Sequence, residues 1–117
     1  MIMIYDITPC PKPRMTQRDK WKKRPCVLRY RAFCDEARIK IKTLPERFDA
    51  TFYIPMPKSW SLSKCIEMVG MPHTVKPDLD NLLKALLDAL WENDQELYEC
   101  HIHKRWADKG AIEIKPL

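Results

Sequence analysis

An α+β fold, with one mixed β-sheet packed against two main helices, follows from three patterns in this chain. Leu79, Leu82, Leu83, Leu86, Leu87 and Leu90 recur with the period of a one-sided amphipathic helix. Phe48, Ala50, Phe52 and Ile54 alternate with Asp49, Thr51 and Tyr53, the period of a half-buried strand. The other periodic segments fall around these two in the order β-α-β-α-β-β. At 117 residues the chain has room for one compact domain, 1–117, with a modest core.

The first strand is expected over about residues 2–7. Met1-Ile2-Met3-Ile4-Tyr5-Asp6-Ile7 is too short and too early charged to act as a signal peptide. Pro9, Pro11 and Pro13 then open an extended basic loop of about 9–26. A helix is expected over about 27–43, with Leu28, Phe33, Ala37 and Ile41 on its apolar face and Pro45 beyond its end. The alternating strand at 48–54 is stopped by Pro55 and Pro57. A long loop of about 56–76 comes next, and loops of that length in a small domain tend to carry function. The leucine helix occupies about 79–91. From Leu97 to Trp106 the chain alternates again, with Tyr98, Cys100 and Ile102 on one face and Glu99, His101, His103 and Arg105 on the other. Asp108-Lys109-Gly110 is expected to turn the chain into a last short strand, Ala111 to Ile114, closing a hairpin.

Composition removes several function classes. No apolar run approaches the roughly 20 residues of a membrane span, so a cytoplasmic protein is expected. Five scattered cysteines without a Cys-x-x-Cys pair suit neither a disulfide framework nor a zinc knuckle. Cys100-His101-x-His103, with Cys65 or His73, is the nearest approach to a zinc cluster, and reduced, buried thiols are the plainer reading. Gly70 and Gly110 are the whole glycine complement, which excludes a phosphate-cradling loop and a nucleotide cofactor. The net charge of +5 is unevenly placed. Lys12, Arg14, Arg18, Lys20, Lys22, Lys23, Arg24, Arg29 and Arg31 face only Asp19 over residues 12–31, with Trp21 and Tyr30 between them. Such a segment is either a solvated basic loop or a grip for phosphates and bases, and a polyanionic partner is the favoured reading.

The chemistry concentrates in Lys76-Pro77-Asp78-Leu79-Asp80-Asn81 and the rest of the leucine helix. Asp80, Lys84 and Asp88 step by four along the face opposite the leucines, with Asn81 beside them and Asp78 just outside, behind Pro77. On a regular helix Asp78 and Asp80 would point about 200° apart. They converge only if the helix begins near Leu79 or Asp80, leaving Asp78 extended. The alternative use of these carboxylates is a helix cap and a favourable charge on the dipole. Asp94, beyond the helix, is a third carboxylate. Mg²⁺ is suited by two or three such ligands together with waters and a phosphate. Lys84 is placed to neutralise charge on a reacting phosphate, unless it belongs to an ordinary Asp80–Lys84–Asp88 surface ladder. Asp88, about 12 Å from Asp80 along the axis, is expected to orient Lys84 rather than to bind metal. Pro77-Asp78 with Glu113-Ile114-Lys115 also imitates a restriction-type nuclease signature, on weaker grounds.

Over most of its length the chain resembles the RusA-type Holliday junction resolvases, crossover junction endodeoxyribonucleases common in phages and prophages. The resemblance rests on Pro11-Lys12-Pro13-Arg14, Met56-Pro57-Lys58-Ser59-Trp60-Ser61, Pro72-His73, and Lys76-Pro77-Asp78-Leu79-Asp80-Asn81-Leu82. It continues through Lys84-Ala85, Asp88-Ala89-Leu90 and Asn93-Asp94. It implies a RusA-like fold and a homodimer that resolves four-way DNA by paired symmetric nicks, in recombination and repair, with Mg²⁺ or Mn²⁺. It also implies that Asp78, Asp80 and Asp94 hold the metal and that Lys84 is catalytic. Two departures are local: the link from Leu90 to Asp94 is short, and Asn93-Asp94 stands where some members have paired aspartates. Glu92 and Glu96 are further acidic neighbours. Lys12, Arg14, Arg18, Lys20, Lys22, Lys23, Arg24, Lys58, Lys64 and Lys76 are the candidate DNA contacts, with Asn81 and Asp88 in support. The competing readings are a non-catalytic nucleic-acid-binding module and a nuclease for flaps or forks.

Overall fold

The computed structural model describes residues 1–14, 24–91 and 95–117. Its elements are β1 (Met3–Tyr5), α1 (Pro25–Lys40), β2 (Arg47–Pro55), α2 (Leu62–Met68), α3 (Leu79–Leu90), β3 (Glu99–Ala107) and β4 (Ala111–Pro116). β2 is the central member of the sheet. It pairs in parallel with β3, from Arg47 opposite Glu99 to Pro55 opposite Ala107. On its other side it pairs antiparallel with β4, which carries β1 at the outer edge. The strand order is therefore β1-β4-β2-β3, a mixed α+β sheet as expected.

The expected closing hairpin does not form, because β2 lies between β3 and β4. Parallel pairing of β2 with β3 requires a long crossover, and α2 and α3 supply it. Residues 108–110 then carry the chain across the Pro55 end of β2, where proline ends the ladder's supply of donors. Gly110 makes that crossing against Thr8. A Cβ at Gly110 would lie 2.4 Å from the Thr8 hydroxyl oxygen and 2.7 Å from its Cα.

One face of the sheet holds the core. Phe48, Ala50 and Phe52 of β2 and Ile112 and Ile114 of β4 pack there with Leu82, Leu86 and Leu87 of α3 and Tyr30, Phe33, Cys34 and Ala37 of α1. The buried stripe of α1 is Val27, Tyr30, Phe33, Cys34 and Ala37, so Leu28 is not part of it and is 45% exposed. The amphiphilic Tyr30 and the small Cys34 fill the stripe, which moves it one position from the residues picked by aliphatic character alone. α1 also stops earlier than expected, at Lys40. Lys42 takes a left-handed conformation (φ 70°) and its N–H donates to the Ala37 carbonyl, closing the helix so that Ile41 and Leu44 turn into the core.

The long stretch between β2 and α3 is not all loop. Ser61 caps the short α2 by accepting from the Lys64 N–H at 3.2 Å, and Gly70 lies just past its end with φ 81°. Ser61 and Gly70 were readable as start and stop signals. The apolar residues between them, Leu62 and Ile66, face outward, so no core-facing stripe marked a helix. Residues 70–73 then run along β3. Gly70 N–H donates to Trp106, Trp106 N–H to Met71, and His73 N–H to Lys104, at 2.8–3.0 Å. Among the described residues no helix is long and apolar enough to cross a membrane.

Candidate active site

α3 begins where convergence of the two aspartates requires it. Asp78 is the N-cap, with extended backbone (φ −70°, ψ 141°), and Leu79 is the first helical residue. The Asp78 carbonyl accepts from the Asn81 and Leu82 amides at 3.2 and 3.1 Å, starting the helical ladder. Its side chain makes no capping bond. Asp80 lies in the first turn, and both aspartates are exposed. Neither carboxylate has a hydrogen-bond or ion-pair partner among the described residues, and the same holds for Lys84 one turn beyond. The capping use of Asp78 is thus not realised, and an Asp80–Lys84–Asp88 ladder is not formed.

Asp88 is engaged elsewhere. Its carboxylate accepts from the Lys12 ammonium at 2.5 Å, and the Asn81 side-chain amide donates to the Lys12 carbonyl at 3.1 Å. Asn81 and Asp88 are seven residues apart and so share one helix face. Together they dock the proline-stiffened segment 11–14 along the polar side of α3. The seam this creates is a continuous run of hollows. One of about 500 Å³ is lined by Lys12, Pro13, Arg14, Asn81 and Lys84. A second of about 440 Å³ is lined by Pro11, Lys76, Pro77, Asp78 and Asn81. A third of about 410 Å³ adds Arg24, Arg29, Cys10 and Cys26, and Asn81 borders all three. Arg24 also donates to the Arg14 carbonyl at 2.8 Å, which ties the two ends of the basic segment together.

Two residues that sequence patterns did not single out hold this arrangement. Arg38 of α1 donates to the Ala89 carbonyl at 2.9 Å, one of the last carbonyls of α3, and so locks the two helices. Lys104 of β3 donates to the carbonyls of Val75 and Pro77 at 2.6 and 2.7 Å, directly before Asp78. The available signal was a lysine on the otherwise apolar side of a strand.

Other expected contacts lie elsewhere. Lys64 sits 4.4 Å over the Trp60 ring, and Trp60 and His73 both pack on Trp106, with ring centroids 4.7 and 4.2 Å away. His73 is buried, with Nδ1 unpartnered, and burial followed by the Lys104 charge holds its imidazole below its ordinary pKa. It is therefore not beside the strand histidines. His101 and His103 each lie 3.4 Å from a carboxylate, Glu99 and Asp49 respectively, while the Cys100 side chain packs toward the core and burial pushes its thiol up. The zinc cluster does not assemble. Glu113 alternates with the buried Ile112 and Ile114, so it and Lys115 face away from α3, and the restriction-type signature is not brought together either. Lys58 is exposed on the turn before α2. Arg18, Lys20, Lys22, Lys23, Glu92 and Asp94 lie outside the described residues.

Asp78 and Asp80 offer only hard oxygen donors, exposed and unpaired. That donor set fits Mg²⁺ or Mn²⁺, which accept carboxylates and keep several waters, and does not fit a soft metal. No group of three His, Cys, Asp or Glu that could hold a metal occurs among the described residues. A family model described as endodeoxyribonuclease RusA matches residues 6–115, spanning both the acidic helix and the basic segment docked on it. The chain belongs to the RusA endodeoxyribonuclease family. It is also 33% identical over 82 residues to the uncharacterized protein YqaN of Bacillus subtilis (strain 168). That match covers 63% of this chain and 58% of the relative, so the chain spans less than two thirds of that protein's length.

Proposed function

We propose that this chain is a metal-dependent endodeoxyribonuclease that resolves four-way DNA junctions as a cytoplasmic homodimer. The observation that carries the reading is the pairing of two unpartnered carboxylates, Asp78 and Asp80, with a cationic seam along the same helix, in a member of the RusA family. Asp78, Asp80 and Asp94 would hold Mg²⁺ or Mn²⁺. When bound, such an ion polarises a phosphate oxygen and makes the attacking water more acidic.

The chain's own groups have separable tasks. Lys84 projects into the seam beside Arg14, where its ammonium can neutralise charge that grows on the phosphate during attack. Arg14, Lys76 and the cations of the basic segment hold neighbouring phosphates. Asn81 and Asp88 hold residues 11–14 on α3, which keeps Arg14 along the same helix as the carboxylates. Paired nicks in a near-twofold junction require two such sites, which a C2 dimer provides.

The test is nicking of a synthetic four-way junction with and without Mg²⁺, beside a fork and a linear duplex. Symmetric nicks in the junction, dependent on the metal, are expected. Asp80→Asn is expected to abolish them while the junction is still shifted on a native gel. Full cleavage by Asp80→Asn would refute the metal site, and faster cutting of forks would reassign the substrate.

A further inference from the structure

The core-facing row of β3 reads Cys100, Ile102, Lys104, Trp106, with one charge among apolar residues. A lysine at such a position is unfavourable unless its ammonium finds acceptors. Lys104 finds two, the carbonyls of Val75 and Pro77, at 2.6 and 2.7 Å. Its own carbonyl accepts from His73, the last residue of the segment that runs along β3. From Thr74 to Pro77 the backbone has no other hydrogen bond among the described residues, and the helical ladder starts only at the Asp78 carbonyl. Lys104 is therefore what joins the end of that segment to the mouth of α3.

We propose that Lys104 is a positioning residue for the metal site, fixing the Val75–Pro77 turn and thereby the direction in which Asp78 presents its carboxylate. Asp78 makes no capping bond, so its backbone position is what limits where its carboxylate can reach. That backbone is held one peptide earlier by a charge-assisted bond, which is stronger than a neutral one. Groups that orient a metal ligand from behind govern affinity without touching the ion. The inference rests on the metal-dependent function proposed for this site and extends it to a residue on another element.

Calorimetric titration of the full chain with Mn²⁺ tests it without reference to cleavage. Lys104→Met is expected to weaken Mn²⁺ binding about tenfold, and Lys104→Arg, which keeps charge and donors, to restore it to within about threefold. Lys104→Gln retains a donor and is expected to fall between them, and it replaces Lys104→Met should that chain not fold. A lower melting temperature with unchanged Mn²⁺ affinity would mean a purely structural lysine and would overturn the proposal, as would absence of Mn²⁺ binding by the wild type. A wild type that binds Mn²⁺ but cuts no branched DNA would sink the nuclease reading and leave the role of Lys104 standing.

Discussion

At the scale of single residues, the site depends on which charged groups are left without partners. Lys12 and Lys104 are occupied by protein acceptors, whereas Lys84 has none among the described residues. Lys84→Ala is therefore expected to reduce junction nicking by about 10²–10³-fold with little loss of stability, measured by single-turnover kinetics beside thermal melting. His73 behaves oppositely. Its imidazole is buried on Trp106 with Nδ1 unsatisfied, and its pKa lies below the ordinary 6.5. As pH falls through 6.5 the unfolded chain takes up a proton that the folded chain refuses, so stability drops from neutral pH toward the lowered folded value. His73→Phe keeps a ring against Trp106 and removes the titration. Its melting temperature should fall less than that of the wild type between about pH 7.5 and pH 5.5, and an equal fall in both would show that His73 is not the group responsible.

At the scale of elements, α3 serves two surfaces at once. Its leucines enter the core, while Asn81 and Asp88 hold the segment before α1. The Lys12–Asp88 pair is about one-third exposed on each side, so its loss should cost no more than about 1 kcal/mol. Its effect on binding should be more visible, because it sets where Arg14 lies. Asp88→Ala is expected to weaken junction binding roughly two- to fivefold, equivalent to about 0.5–1 kcal/mol, with the urea midpoint little changed. The element also corrects a local expectation. The Asp80, Lys84 and Asp88 spacing suggested that Asp88 would orient Lys84, but spacing along one helix does not report what docks against it. The partner came from a residue 76 positions away.

At the scale of the whole molecule, the placement of β2 in the middle of the sheet organises everything else. Parallel pairing with β3 sends the chain through α2 and α3 on the way, and brings the mouth of α3 beside Lys104. The return to β4 passes over the end of β2 against Thr8, where only glycine fits. Gly110→Ala is expected to cost about 1–3 kcal/mol through overpacking, seen as a drop of several degrees in melting temperature. An unchanged melting temperature would show that the Thr8 segment can move aside.

The acidic spacing, the leucine stripe and the alternation of β2 were legible from residue order because each is a short-range periodicity that a helix or strand converts directly into a face. The start of α3 at Leu79 was legible for the same reason, since Pro77 and two aspartates mark a helix entry. The sheet order, the docking of Lys12 on Asp88, and the anchoring of the Asp78 turn by Lys104 were not. Each joins residues far apart in the chain, and no local period reports which distant residue a side chain meets. Asp88 reads as a partner for Lys84, and Lys104 as a lone charge on the apolar side of a strand, until the fold shows what each one holds. Residue types and local period thus identify the carboxylates and the lysine proposed to act. Only long-range pairing decides which cations stay available and which residues keep Asp78 in place.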